Sequence, residues 1–373
     1  MSTRRVVLKT AGVFSSASLI ALNAPALCNS PSKWHMPDEG KPHLRTWMSF
    51  GASAGVWGKD LLPDVQHDLA ILARTISKYE PVSMLVRSED LTTAKRFVKG
   101  ANITLVDAAV DDLWIRDTGP CFVVNRAKLG ERAGVSFNFN GWGNKQTHTN
   151  DAKVASLVTV KAGVPLVDTA LVMEGGCIEV DGRGTAIVTE SCVFNDNRNP
   201  RVSKLTIERE LKRVLGLSHI IWLPGIKGHD ITDGHTDFYA RFAGSGVVLA
   251  GFDPDPQSYD HAVTKEHLQI LRKSKDAHGH KLEVLTLQAP DTFSNKYNPA
   301  TFAAGYIGFY LCNGAVISQK FGDDKADRAS KTLLQQVFPT RVVEQLRMDA
   351  IAAGGGSVHC ATQQEPSVYR GYL

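Results

Sequence analysis

The chain has 373 residues, of which 43% are hydrophobic and 21% charged, a composition typical of a globular protein of one large or two ordinary domains. The formal net charge is +4, but residues 1–28 carry Arg4, Arg5 and Lys9 and no acid, so the remainder is nearly neutral at +1. The composition therefore gives no support to a nucleic-acid partner, and no run of about 18 apolar residues predicts a membrane span.

Residues 1–28 have the pattern of a twin-arginine export signal. Arg4 and Arg5 precede an apolar run over residues 11–22, and small residues follow at 24–26. We predict export to the periplasm or beyond. A cytoplasmic protein with a basic N terminus is the alternative. No linker rich in Pro, Gly or Ser divides the rest, so residues 29–373 are predicted to form a single domain.

Hydrophobic patterns predict alternating strands and helices after residue 45. The predicted strands are 46–50, 82–86, 103–106, 157–160, 166–167, 176–180, 185–189, 219–223, 237–242, 246–250, 282–287, 306–313, 315–318 and 342–346. The predicted helices are 62–78, 91–98, 202–215, 257–274 and 324–338. The order β-β-α-β recurs at intervals of roughly 60 residues without a literal sequence repeat.

The cysteines left after the signal are widely spaced and form no C-x-x-C pair, which argues against a disulfide framework or a zinc ribbon. One of them, Cys360, follows Gly354-Gly355-Gly356. Consecutive glycines permit a sharp turn or a close approach of the backbone to a ligand, so Cys360 is a candidate nucleophile. A small buried residue in a tight turn is the alternative for Cys360, and a core position is expected for Cys121, Cys177, Cys192 and Cys312.

Two further segments are rich in acids. Asp111, Asp112 and Asp117 surround Trp114, and carboxylates beside an aromatic ring suit a cationic ligand. A solvated turn is the alternative. Glu174 precedes two glycines and a predicted hairpin, from which it can reach a neighbouring side chain, although a surface position is the common outcome.

Residues 228–237 are dense in titratable groups. His235 and Asp237 share a face if this segment is extended. A metal site built from His229, His235 and Asp237 is an alternative, but their spacing matches no standard zinc pattern.

One chemistry unites these residues. A thiolate nucleophile needs a histidine for proton transfer, and a planar guanidinium is bound best by carboxylates that accept its forked N–H groups. Cys360, His235, Asp117 and Asp237 meet those needs.

On these motifs the sequence, from Met36 onward, resembles the agmatine deiminase family, which groups with the Porphyromonas-type peptidylarginine deiminases among guanidine-modifying enzymes. The matching segments are 114–120 (WIRDTGP), 137–143 (FNFNGWG), 174–176 (EGG), 195–200 (NDNRNP), 233–237 (DGHTD) and 354–360 (GGGSVHC). The resemblance implies an α/β pentein fold, a five-bladed propeller of ββαβ-type modules with pseudo-fivefold symmetry. The recurring β-β-α-β order is compatible with that fold.

The resemblance also implies roles for individual residues. Cys360 attacks the guanidinium carbon, and His235 protonates the leaving ammonia and then activates water. Glu174 orients His235, while Asp117 and Asp237 grip the guanidinium nitrogens. Trp114 lines the substrate channel. No metal or organic cofactor is expected.

The predicted activity is deimination of agmatine to N-carbamoylputrescine and ammonia, with a small guanidine as the partner and a homo-oligomer as an open alternative to a monomer. Ile231 stands where relatives acting on agmatine often have an acid, which Asp230 or Asp233 would have to replace. Gly308 stands where the family often has asparagine. Deimination of free or peptidyl arginine is therefore the second hypothesis, and a silent guanidine-binding protein or a metallohydrolase comes behind it.

Overall fold

Strands and helices alternate along the chain, as the hydrophobic pattern predicts. The computed structural model describes residues 32–367 apart from 101, 129, 295 and 298–300, so the predicted export signal lies outside the described residues. The strands are β1 (Trp34–His35), β2 (His43–Ser49), β3 (Val82–Val86), β4 (Ile103–Asp107), β5 (Cys121–Asn125), β6 (Arg132–Ser136), β7 (Leu166–Asp168), β8 (Ile178–Val180), β9 (Thr185–Thr189), β10 (His219–Leu223), β11 (Ala240–Phe242), β12 (Val247–Phe252), β13 (Glu283–Gln288), β14 (Tyr310–Cys312), β15 (Ala315–Gln319), β16 (Val342–Leu346) and β17 (Gln363–Pro366). The helices are α1 (Ala54–Ile76), α2 (Leu91–Phe97), α3 (Ile115–Thr118), α4 (Gly141–Asn144), α5 (Val154–Ala162), α6 (Glu190–Val193), α7 (Lys204–Leu215), α8 (His261–Lys273), α9 (Asp324–Val337) and α10 (Asp349–Ala353).

In the described part of the chain these strands form five sheets with a shared pattern. The strand orders are β1-β5-β6-β7, β8-β9-β10, β11-β12-β13, β14-β15-β16 and β17-β2-β3-β4. Each sheet contains an antiparallel pair and then a strand parallel to the second member. A helix joins those parallel strands, because a parallel connection needs a long crossover. Along the chain the predicted β-β-α-β order thus recurs in four of these sheets, whereas the fifth runs β-α-β-α-β and takes its antiparallel strand, β17, from residues 363–366.

The helices that cross between parallel strands bury one face each. In α7, Ile207, Leu211 and Val214 are fully buried at three- and four-residue spacing, whereas Leu205 is exposed. From Ser32 onward the chain forms one compact unit. Within the described ranges, no helix has both the length and the apolar character needed to cross a membrane.

The strand predicted at residues 157–160 is wrong, because this segment belongs to α5. Its valines favour a strand locally, but Val154, Ala155, Val158 and Thr159 are buried at helical spacing against β6. The helix ends at Gly163, whose φ of 66° is left-handed. Strands β5 and β6 were not predicted.

Candidate active site

Short turns, rather than long elements, carry the predicted site residues. Trp114 and Asp117 lie at the start of and within α3, and Glu174 directly precedes a 3₁₀ turn at Gly175–Cys177. His235 precedes a second 3₁₀ turn, Thr236–Phe238, which contains Asp237. The segment 235–237 is therefore not an extended strand, yet its two side chains still lie together.

A cavity of about 300 Å³ brings most of these side chains together. Cys360, His235, Asp117 and Trp114 all line it. The glycine segment that precedes Cys360 forms part of the wall, and Gly355 has a φ of 85°. A Cβ on Gly356 would overlap the ring of Trp114. Only glycine therefore lets the backbone approach the ring this closely.

The Cys360 thiol is buried among acids. Its Sγ lies 3.4 Å from Ser357 Oγ and 3.8 Å from Asp237 Oδ2. Burial, followed by the charges of Asp237 and Asp117, raises the pKa of Cys360 well above its ordinary value. These surroundings favour the neutral thiol over the thiolate.

His235 is held from behind by Glu174. Its Nε2 lies 3.1 Å from Glu174 Oε2, while its Nδ1 lies 3.7 Å from Asp117 Oδ1. Burial alone would lower the pKa of His235, but Asp117 and Glu174 raise it well above the ordinary value. Arg198 Nε in turn donates to both oxygens of Glu174, at 2.9 and 3.1 Å. Although burial opposes its ionisation, the bonds from His235 and Arg198 hold the pKa of Glu174 at about 2.

Asp117 is oriented by two donors. Trp142 Nε1 donates to its Oδ2 at 2.9 Å, and the Gly176 N–H donates to its Oδ1 at 3.2 Å. Trp142 has a φ of 55°, a left-handed conformation that is uncommon for a bulky residue and typical of functional sites. Gly176 must be glycine here, because a Cβ would overlap His235. Burial raises the pKa of Asp117 to about 6 despite the nearby His235.

Only one of the two carboxylate oxygens of Asp237 has a hydrogen-bond partner among the described residues. Its Oδ2 lies 2.7 Å from His359 Nδ1, while its buried Oδ1 has no hydrogen-bond partner among the described residues. His359 Nε2 lies 2.9 Å from Glu39 Oε2, which also accepts from Arg116 Nη2 at 2.9 Å. Burial opposes ionisation of Asp237, but His359 holds its pKa below the ordinary value. Oδ1 lies 3.9 Å from His235 Nδ1, beyond hydrogen-bond distance, so it keeps an unused acceptor position next to a residue of the cavity wall. Asp237 itself is not among the described residues that line the cavity.

Comparison with known proteins agrees with this arrangement of a buried thiol, a histidine and carboxylates. Residues 35–366 match the family model for Porphyromonas-type peptidyl-arginine deiminase. The chain belongs to this family. It is 33% identical to the agmatine deiminase of Pseudomonas fluorescens over 359 residues, which is 90% of this chain and 96% of that protein.

Solved structures of this deiminase family have the same fold. The agmatine deiminase of Enterococcus faecalis superposes with a TM-score of 0.84 at 30% identity, over 90% of this chain and 97% of the other. C. jejuni agmatine deiminase superposes with a TM-score of 0.79 at 23% identity, over 92% and 98% of the two chains. The predicted family, its class of amidine-hydrolysing enzymes and the pentein fold are confirmed.

Several residues of this deiminase site were not predicted from the sequence. Arg198, Trp142 and His359 each hold one of the predicted groups, although all three lie in segments that carry the family resemblance. Asp112 lines the cavity and accepts from Trp57 Nε1 at 2.7 Å. The acid-rich segment is therefore not a solvated turn at this residue.

The alternative metal site of His229, His235 and Asp237 is not among the clusters of potential metal ligands in the described part of this deiminase. His229 stacks on Tyr259, with ring centroids 3.6 Å apart. Among the described residues, the side chains that converge as potential metal ligands are instead Glu174, Cys177, Cys192 and His235.

The acid expected near the substrate's far end is also absent from the cavity wall of this deiminase. Ile231 lines the cavity and is 37% exposed. Asp233 is buried and pairs with Arg198 and Lys145 at 2.7 and 2.9 Å, and Asp230 accepts from the Thr232 N–H at 2.6 Å. Neither acid lines the cavity, so neither replaces the missing carboxylate there.

Proposed function

We propose that this protein hydrolyses agmatine to N-carbamoylputrescine and ammonia through a covalent intermediate on Cys360. The observation that carries the proposal is the buried carboxylate of Asp237: its Oδ2 lies 3.8 Å from the Cys360 sulfur, and its Oδ1 has no hydrogen-bond partner among the described residues. Asp117 lines the same cavity as Cys360. Among the described residues that line the cavity there are acids and neither Lys nor Arg. Such a site stabilises a planar cation next to a nucleophile.

The cation itself activates the thiol. A guanidinium held by Asp117 and Asp237 offsets the two charges that, together with burial, raise the pKa of Cys360. One positive charge enters as the thiol proton leaves, so the net charge of the cavity is unchanged. The thiolate then lies beside a carbon whose orientation the two carboxylates fix.

His235 moves the protons of both half-reactions. The Cys360 thiolate adds to the guanidinium carbon, and the imidazolium gives its proton to the departing nitrogen, which leaves as ammonia. The resulting thiouronium is attacked by water as the now neutral imidazole takes the water's proton. The C–S bond breaks, the second proton of the water passes to the departing sulfur, and release of the ureido product restores the thiol. Glu174 acts as a positioning residue, since it fixes the far nitrogen of the ring.

A second substrate class follows from Ile231. An apolar side chain at the cavity wall offers no partner to the terminal ammonium of agmatine. Free arginine and peptidyl arginine carry a carboxylate or an amide at that end, and the missing acid would not count against them. Their deimination to citrulline is the alternative reaction.

A substrate panel separates these reactions. Ammonia and ureido product are measured with agmatine, free arginine and a peptide with C-terminal arginine, using the wild type and Cys360→Ala. We expect agmatine to give the highest kcat/KM and the variant to give no product with any substrate. Equal rates on all three would refute the agmatine assignment, and tight agmatine binding without ammonia would indicate a binding protein.

We further propose that the protein is exported through the twin-arginine route. The support is the pattern of residues 1–28, with Arg4 and Arg5 ahead of an apolar run. A fusion of this segment to a reporter should reach the periplasm, and Arg4→Lys combined with Arg5→Lys should retain it in the cytoplasm. Export of the doubly substituted fusion would contradict the route. Separately, we propose that the protein forms a homo-oligomer. Sedimentation of the purified protein tests this oligomeric state.

A further inference from the structure

Two cysteines lie directly behind the proposed acid–base pair. Cys177 Sγ donates to Glu174 Oε2 at 3.0 Å, and Cys192 Sγ contacts the same oxygen at 3.5 Å. One ligand atom from each of these residues and from His235 lies within 4.8 Å of all the others, and all four side chains are buried. The deimination proposed above uses neither sulfur, so the convergence of the pair has no part in that reaction.

We propose that Glu174, Cys177, Cys192 and His235 form a binding site for a thiophilic divalent cation such as Zn²⁺, and that a cation bound there silences the enzyme. Two thiolates, an imidazole nitrogen and a carboxylate oxygen are donors found in four-coordinate zinc sites. Bond lengths of about 2.3 Å to sulfur and about 2.0–2.2 Å to nitrogen or oxygen place tetrahedral ligand atoms roughly 3.3–3.8 Å apart. The ligand atoms lie between 3.0 Å and at most 4.8 Å from one another, so binding needs shifts of about 1 Å or less, with some pairs moving apart and others together.

The surroundings balance the charge of such a site. Two thiolates and Glu174 carry three negative charges, so a divalent cation leaves a single negative charge in the buried cluster. Arg198 supplies the compensating positive charge, since its Nε lies 2.9 Å from Glu174 Oε1. Arg198 Nε also lies 3.1 Å from Oε2, the atom that both sulfurs approach, so a cation at Oε2 would replace this bond while the bond to Oε1 stays. Binding releases the two thiol protons and any proton on the ligating nitrogen of His235.

A cation bound at this site would stop deimination without entering the substrate cavity. The cation takes Nε2 of His235, the nitrogen that faces Glu174, while Nδ1 still faces Asp117. A ring fixed by a metal ion no longer gives and takes the proton that each half-reaction requires. The inhibitory half of this inference rests on the proposed function, whereas cation binding does not.

The binding test uses the full chain with Cys360→Ala, kept reduced, because that variant removes the thiol that lines the cavity. Zn²⁺ is titrated by calorimetry, and Co²⁺ is titrated with absorption as the readout. We expect one equivalent of either ion and a thiolate-to-cobalt charge-transfer band. Cys177→Ser in this background keeps a donor to Glu174 but loses the soft ligand, so it should weaken Zn²⁺ binding at least a hundredfold and abolish the band. Cys192→Ser repeats the test from the other sulfur.

Cys312→Ser is the matched control, since Cys312 is buried and contacts the Ala315 carbonyl in another sheet. It should change neither the stoichiometry nor the band. Folding of every variant is checked by circular dichroism. The proposal is wrong if the folded Cys360→Ala protein binds no Zn²⁺ at micromolar concentration, or if Cys177→Ser and Cys192→Ser bind as tightly as their parent.

The inhibition test uses the active enzyme, with each variant normalised to its own zinc-free rate. Cys177→Ser should raise the Zn²⁺ concentration for half inhibition at least tenfold, and Cys312→Ser should leave it unchanged. Equal zinc sensitivity of the wild type and Cys177→Ser would overturn the inhibitory role. A protein that binds zinc as described but deiminates no substrate would disprove the proposed function and leave the binding site standing.

Discussion

His359 lies between two buried carboxylates, and each of its contacts can be removed separately. Its Nδ1 lies 2.7 Å from Asp237 Oδ2, and its Nε2 lies 2.9 Å from Glu39 Oε2. In His359→Asn the side-chain amide nitrogen can occupy the position of Nδ1, so the contact with Asp237 is kept. In His359→Gln the longer side chain reaches the position of Nε2 and keeps the contact with Glu39.

The two substitutions should therefore have unequal effects on catalysis. A hydrogen bond to a charged group contributes about 1.5–3 kcal/mol, which corresponds to roughly 10- to 150-fold in a rate or binding constant. We expect His359→Gln to lower kcat/KM for agmatine by roughly that factor, because Asp237 is no longer held beside the substrate. His359→Asn should lower it by about fivefold or less.

Steady-state kinetics and urea unfolding of both variants give the measurement and its control. Each variant loses one buried charge-assisted contact, so both should lose a similar free energy of unfolding, about 1.5–3 kcal/mol. A larger kinetic defect in His359→Asn than in His359→Gln would refute the role assigned to the contact with Asp237. Equal defects in activity that follow the loss of stability would reduce His359 to a structural residue.

Two further predictions concern the cavity wall and its support. Gly356→Ala places a methyl group against the Trp114 ring, and overpacking of about 1–3 kcal/mol should raise KM for agmatine roughly tenfold or more. Gly305→Ala is the control, because its methyl group would point into open space and should leave KM unchanged. Equal KM values for the two variants would contradict the close approach of Gly356 to the ring. Asp68 accepts from the backbone N–H of Ala350 and Ile351, and burial raises its pKa to about 7. Because the folded pKa is higher than the unfolded value, the wild type loses stability as pH rises from about 4 through 7. Asp68→Asn keeps a hydrogen-bond acceptor that does not ionise. The free energy of unfolding of this variant minus that of the wild type should therefore be about 2–4 kcal/mol larger at pH 8 than at pH 4, as measured by urea unfolding. Parallel pH profiles of the two proteins would disprove this.

The sequence predicts residues that line the cavity better than it predicts the residues that support them. Cys360, His235 and Asp117 are predicted from residue type and neighbouring glycines, and the structure places all three on one cavity. Arg198 lies 24 residues from Glu174, and His359 lies 122 residues from Asp237. No local pattern reports contacts at such separations, so these supporting residues emerge from the fold alone.

The same limit explains the errors in secondary structure. Strands such as β3 and β10 are predicted with their observed ends, because each is a short, mostly apolar segment that a proline limits at one end, Pro81 before β3 and Pro224 after β10. The segment 157–160 has equally strand-like residues, but its packing against β6 selects a helix. Tertiary packing outweighs local strand propensity where a helix buries more of the apolar side chains than a strand would.

Strand β17 pairs with β2, and this pairing has a consequence for the order of folding. Trp47 Nε1 donates to Glu365 Oε2 at 2.9 Å across a separation of 318 residues, and Cys360 lies just before this strand. Contacts so distant in sequence must pay the entropy of closing a very long loop, which makes them slow to form. Loss of the β2–β17 pairing would free the segment that places Cys360 beside Asp237. Activity that depends on this thiol would then be lost with a single sheet edge.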